Sequence, residues 1–244
     1  MAKNRLQKSD KLRQTVSEVE ALTGRKVVFF NIGEGCGQAA PLVQGYRRRQ
    51  GSNEPIWLNG CLSGPAREAT AAHELAHIVQ EAARFPRAEA VDSERNPAAA
   101  ARLAASINNM VLDLNADRWA LSRCFDVGAA LAESALPTIV AELGQSIRKG
   151  TGSHARVEIN DRVLAVDYAA LKLRAGRFGL FDELETLWLQ RWPRSRRLGR
   201  RIVDALTATR FSSPASCGNA MKKMLTILNV PIGRIRVIQA GPFS

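Results

Sequence analysis

Long apolar runs are missing from this 244-residue chain. No stretch of about 18 uncharged apolar residues occurs, so a transmembrane helix is not expected. A secretory leader is not expected either, because Met1-Ala2-Lys3-Asn4-Arg5 runs into the polar QKSDKLRQ instead of an apolar core. The cytoplasm is therefore the expected compartment. Cysteine is scarce, with residues 36, 61, 124 and 217 scattered and no CxxC pair. That excludes a disulfide-stapled miniprotein and leads us to expect reduced thiols. Internal repeats and low-complexity linkers are absent too. Acids are nearly missing from one end: residues 191–244 hold eleven Lys/Arg against one acid, Asp204.

What is present fits a folded domain. Apolar residues make up 45% and charged residues 24%, which argues against wholesale disorder. The net charge of +12 resides mostly in that acid-poor end, because residues 1–190 carry 24 bases and 22 acids. A near-neutral body with a basic C-terminal region is expected, and nucleic acid or an acidic partner would suit residues 191–244. Six arginines crowd into RWPRSRRLGRR (191–201), where Trp192 could stack on a base. An amphipathic helix with a solvated basic face explains the same residues about as well.

Periodicity supplies the elements. Leu6, Leu12, Val16, Val19 and Leu22 recur at helical spacing over residues 5–22. KVVFFNI (26–32) reads as a buried strand, followed by the glycine-rich GEGCGQAAP (33–41). Strands are expected at 42–47 and at PIWLN (55–59). Ser63-Gly64-Pro65 marks a helix entry for residues 67–83, and Asn96-Pro97 marks another for a helix reaching about residue 124. Residues 84–96 read as loop, 128–147 as a helix interrupted at Pro137, and 155–167 as a short hairpin around Asn160-Asp161. Helices are expected near 168–176, 180–191, 196–209 and 216–229, with a strand near 234–239. The expected fold is α+β, with a zincin-like domain over 1–150 and a basic, mainly helical region over 151–244. A small antiparallel sheet would pack on the helix of residues 67–83, with the next helix closing the site.

Only three histidines occur, and two stand in His73-Glu74-Leu75-Ala76-His77. Positions i and i+4 of a helix lie one above the other, so both imidazoles can reach one Zn²⁺. Glu74 falls beside the metal, where it can act as general base toward water and then as acid toward a leaving amine. A catalytic zinc needs a third protein ligand. Asn109, Asp113 and Asp117 recur every four residues on the next helix, opposite in character to its Ile107/Val111/Leu114 face. Acids on a helix are commonly solvated, but beside an HExxH they read otherwise. Asp113 is then the third ligand, and Asp117 the carboxylate that orients a ligand imidazole. His154, on a loop, reads as idle.

The run PIWLN…REATAAHELAHIV followed by DLNADRWA resembles the ImmA/IrrE-type zinc metallopeptidases over about residues 25–125. The resemblance implies a gluzincin-type arrangement, with His73, His77 and Asp113 as ligands and Glu74 as the catalytic glutamate. Asp117 falls on the acid or amide position four residues later. Asp113 stands where that group has Glu, one methylene longer, and Ala76 stands where it has Gly. The resemblance further implies limited cleavage of a regulatory protein such as a transcriptional repressor. Substrate would bind by β-augmentation on PIWLN as an edge strand.

A rival resemblance is to the peptide deformylases, which carry a glycine-rich segment, an EGCLS segment and HExxH in the same order. Gly33–Pro41 and Asn59-Gly60-Cys61-Leu62-Ser63 match those segments in part. This alternative makes the enzyme an amidase with Cys61 as third ligand. Eleven residues between Cys61 and His73 leave little room for the strands that family places there. Two further alternatives remain: a regulatory binding protein that keeps the zinc fold without catalysis, and a nucleic-acid-associated protein whose basic end is the functional part.

Overall fold

The computed structural model describes residues 9–32, 45–47, 53–91, 97–135, 154–231 and 233–239. The described chain is mixed α/β, mostly helical, with two small sheets. It divides into two compact units, residues 1–82 with 116–148, and residues 83–115 with 149–244.

In the first unit, α1 (Asp10–Thr23) starts at Ser9, whose Oγ accepts from Leu12 N–H, and ends at Gly24 in the left-handed region. Leu12, Val16 and Val19 form its buried stripe, while Leu22 is exposed and Leu6 lies outside the described residues. Strands β1 (Lys26–Ile32), β2 (Gly45–Arg47) and β3 (Asn53–Asn59) form one sheet in the order β1-β3-β2. The first pairing is parallel and the second antiparallel, so the sheet is mixed, not antiparallel as expected. PIWLN lies within β3, the central strand. Its backbone is hydrogen-bonded on both sides, so it is not an edge that could take an extended substrate.

Helix α2 (Gly64–Ala82) carries the HELAH segment. Ser63 N–H and Oγ both donate to Glu133, and Ser63 Oγ accepts from Ala66 N–H, which satisfies the helix entry. Ala69, Ala72, Leu75, Ala76 and Ile78 are buried along α2, where small side chains let the backbone pack closely. Buried Glu54 of β3 receives Arg25 at 2.6 Å, and the same guanidinium reaches Glu81 of α2 at 3.3 Å. The last turns of α3 (Pro97–Ser122), then α4 (Val127–Ala130) and a π-helical turn at Leu131–Ala135, complete this unit. The cap expected at Asn96, the glycine-rich 33–41 and the expected helix past residue 135 lie outside the described residues.

The second unit holds an apolar cluster. It draws on Ile107, Met110, Val111 and Leu114 of α3, together with Val163 and Val166 of α5 (His154–Ala175). Helix α6 (Asp182–Arg191) follows a 3-10 turn at Gly176–Phe178. Ile202 and Leu206 of α7 (Pro193–Leu206) and Met221 and Met224 of α8 (Pro214–Ile227) join the cluster. Residues 155–167 are therefore helix, not hairpin: Val163, Val166 and Ala169 are spaced by three to bury one face. Pro86–Ala90, within the stretch expected to be loop, forms β4 and pairs antiparallel with β5 (Ile235–Gln239). Asn108 of α3 seals β4, accepting from Ala88 N–H at 2.7 Å and donating to its carbonyl at 2.8 Å. Among the described residues, no helix is long and apolar enough to cross a membrane.

Candidate metal centre

His73 and His77 are one helical turn apart on α2, both half-buried among alanines. Each ring has its Nδ1 engaged. His73 Nδ1 lies 2.8 Å from Asp117 Oδ1, and His77 Nδ1 lies 2.7 Å from Gln80 Oε1. A carboxylate and an amide oxygen can only accept, so each Nδ1 carries a proton, and in the neutral ring Nε2 then presents a lone pair. The two Nε2 atoms face each other at 3.1 Å. Two lone pairs so close repel unless a cation or proton lies between them. Two nitrogen donors on a tetrahedral zinc with bonds near 2.05 Å would stand about 3.3 Å apart. The spacing therefore fits a shared divalent ion.

Asp117 sits in the last turns of α3, its side chain only 3% exposed against 16% for that of His73. A carboxylate buried to that degree needs a charged or hydrogen-bonding partner, and the His73 ring supplies one. Asp113 is one turn earlier on the same unbroken helix. Arg174 of α5 donates to Asp113 Oδ2 at 2.8 Å, so this carboxylate already shares one oxygen with a guanidinium. Glu74 follows His73 directly and is half-buried. Asn109, the first member of the four-residue stripe, is exposed, and the side chain of His154 lies outside what is described.

Cys61 departs from expectation. It is disulfide-bonded, whereas Cys124 and Cys217 are free thiols. The expectation of reduced thiols throughout is corrected accordingly. A metal ligand must be a thiolate, so the bonded sulfur has no ligand form to offer, and the deformylase-like alternative loses its third ligand. Disulfides are also more at home in oxidising compartments than in the cytoplasm.

Two neighbours escaped the sequence reading. Gln80 carried a weak signal, as a polar residue three positions after His77, just past the apolar Ile78-Val79. Arg174 carried none, since its approach to Asp113 is a tertiary contact across 61 positions. No family model, curated protein or solved structure matches this chain.

Proposed function

We propose that this protein is a zinc-dependent peptidase of the ImmA/IrrE-like kind. The observation that carries the reading is the facing pair of imidazole Nε2 atoms at 3.1 Å, each ring fixed in one tautomer by an acceptor at Nδ1. Such a pair is a preformed bidentate donor set, and Asp113, one helical turn before Asp117 on α3, would complete the His/His/carboxylate chemistry that divalent zinc accepts. When bound, the ion would supply a Lewis acid for water and for a scissile carbonyl.

The chain's own residues divide the remaining work. His73, His77 and Asp113 would hold the ion, and Asp117 and Gln80 keep the imidazoles in the ligating tautomer. Arg174 neutralises part of the Asp113 charge through Oδ2. Glu74 removes a proton from the attacking water and returns it to the departing amine. The substrate class follows from the resemblance of the two helical segments alone: a regulatory protein, such as a transcriptional repressor, cut at limited sites. Residues 191–244 would add a contact with an anionic partner, nucleic acid or acidic protein.

Glu74→Gln tests the reading, because glutamine fills the same space and cannot take a proton. The variant is expected to bind zinc like the wild type and to lose roughly 10²–10⁴-fold in the release of new amino termini from a mixed peptide library. Equal hydrolysis by variant and wild type would refute it. Zinc binding without hydrolysis by the wild type would instead identify a regulatory binding protein that keeps the zinc fold.

A further inference from the structure

Helix α7 carries more positive charge than anything in the peptidase reading requires. Its inner side is unusually close to α5. A Cβ on Gly199 would come within 2.5 Å of the Tyr168 ring and 2.8 Å of the Ala165 carbonyl oxygen, so only glycine fits there. Ser195 Oγ donates to Asp161 Oδ1 at 2.9 Å, and Ile202 and Leu206 are buried further along. The helix is thus clamped along its length, and its outer side has a fixed presentation.

The five arginines of α7 divide into two sets. Arg196 and Arg200 turn toward Glu185 of α6, at 3.1 and 3.7 Å. Glu185 also receives Lys172 and the Tyr168 hydroxyl, so this set is neutralised within the fold. Arg194, Arg197 and Arg201 are exposed, and among the described residues they have no hydrogen bond or ion pair. They recur at i, i+3 and i+7, which places them on one stripe. The stripe advances about 10 Å along the helix axis at 1.5 Å per residue. Asp204 is the sole acid on α7.

We infer that the Arg194/Arg197/Arg201 stripe binds the phosphate backbone of duplex nucleic acid without reading its sequence. Guanidinium forks match phosphate oxygens bidentately, and α7 carries arginine with no lysine. A run of about 10 Å also spans about four successive phosphates of one strand, spaced about 3.4 Å along the duplex axis, so each of the three guanidiniums can meet one. Other anionic surfaces fit less well. An interfacial membrane helix must bury its apolar face in lipid, and that face of α7 is already occupied by α5. A protein interface needs an apolar or aromatic centre, and the stripe has none: among the described residues the exposed large hydrophobics are Leu22 and Leu189. Trp192 is half-buried with its ring 5.6 Å from that of Trp188, so it is tied into the fold and not offered to bases. Backbone contact to a duplex remains.

Anisotropy titrations of two unrelated 20-base-pair DNA duplexes between 50 and 200 mM NaCl test this on the full chain. The wild type is expected to bind both sequences alike, with affinity falling steeply as salt rises. Arg194→Gln/Arg197→Gln/Arg201→Gln should lose at least about tenfold in affinity at 50 mM, and its log–log salt slope should shrink by about 3. A control lacking three other exposed cations, Lys26→Gln/Arg84→Gln/Arg102→Gln, should keep both. The inference is overturned if the stripe variant binds like the wild type or if the control loses as much. It is also overturned if the wild type binds poly-glutamate as tightly as duplex. Restored binding in the triple Arg→Lys variant separates lost charge from lost fold. The assay reads binding alone, so it is independent of whether the chain hydrolyses peptides.

Discussion

Helices α2 and α7 are built on the same plan and put to opposite use. Each buries small residues, Ala69, Ala72 and Ala76 on one and Ser195 and Gly199 on the other, so each lies close against its neighbours. Each also carries basic or ligating side chains at helical spacing. On α2 those side chains are half-buried and held atom by atom, His73 by Asp117 and His77 by Gln80. On α7 the Arg194/Arg197/Arg201 set stands in solvent with no partner among the described residues. Burial with directed hydrogen bonds makes a site, in which one misplaced atom abolishes the geometry. Exposure without partners makes a field, in which charges act nearly additively and salt weakens them.

The contrast can be broken at several points. The largest effect should come from Asp117→Ala. It removes the acceptor that fixes the His73 tautomer, and metal affinity should fall 10–100-fold in competition with a chelating dye. Unchanged affinity would mean that the ring needs no such support. The smaller effect lies beside α7, where Glu185 belongs to the fold and not to the exposed stripe. The hydrogen bond from Lys172 leads the causes that bring its carboxyl from 4.5 down to about 2. Ionised Glu185 therefore stabilises the fold fully above about pH 4.5, and this contribution fades as pH falls toward 2. Tyr168 behaves in mirror image, since burial pushes its hydroxyl up to about 12 and its neutral form stabilises the fold below about pH 10. Glu185→Gln should flatten the loss of stability between pH 5 and 2 in urea unfolding. An unchanged acid dependence would contradict the assignment.

Local pattern explains what could be read from the sequence. The strands at Lys26–Ile32 and Asn53–Asn59, the HELAH helix and the 97–122 helix all announce themselves within a few residues, through apolar runs or three-to-four spacing. Features that depend on distant partners did not. Pro86–Ala90 is polar enough to pass for loop, and becomes a strand only because Ile235–Gln239 pairs with it almost 150 residues later. Alternation in 155–167 suggested a hairpin, yet packing against α7 through Gly199 selects the helix. PIWLN was legible as a strand, but its central place in the sheet depends on β1 and β2. At the site, helix periodicity placed His73, His77, Asp113 and Asp117, while Arg174 could be found only in three dimensions.

Zinc stoichiometry tests the central claim most directly. Wild-type protein and His77→Ala, each equilibrated with Zn²⁺ and dialysed against buffer, are measured by elemental analysis. The facing imidazoles predict close to one zinc per wild-type chain and almost none in the variant. A wild type that retains no zinc, or a variant that retains as much, would contradict the account.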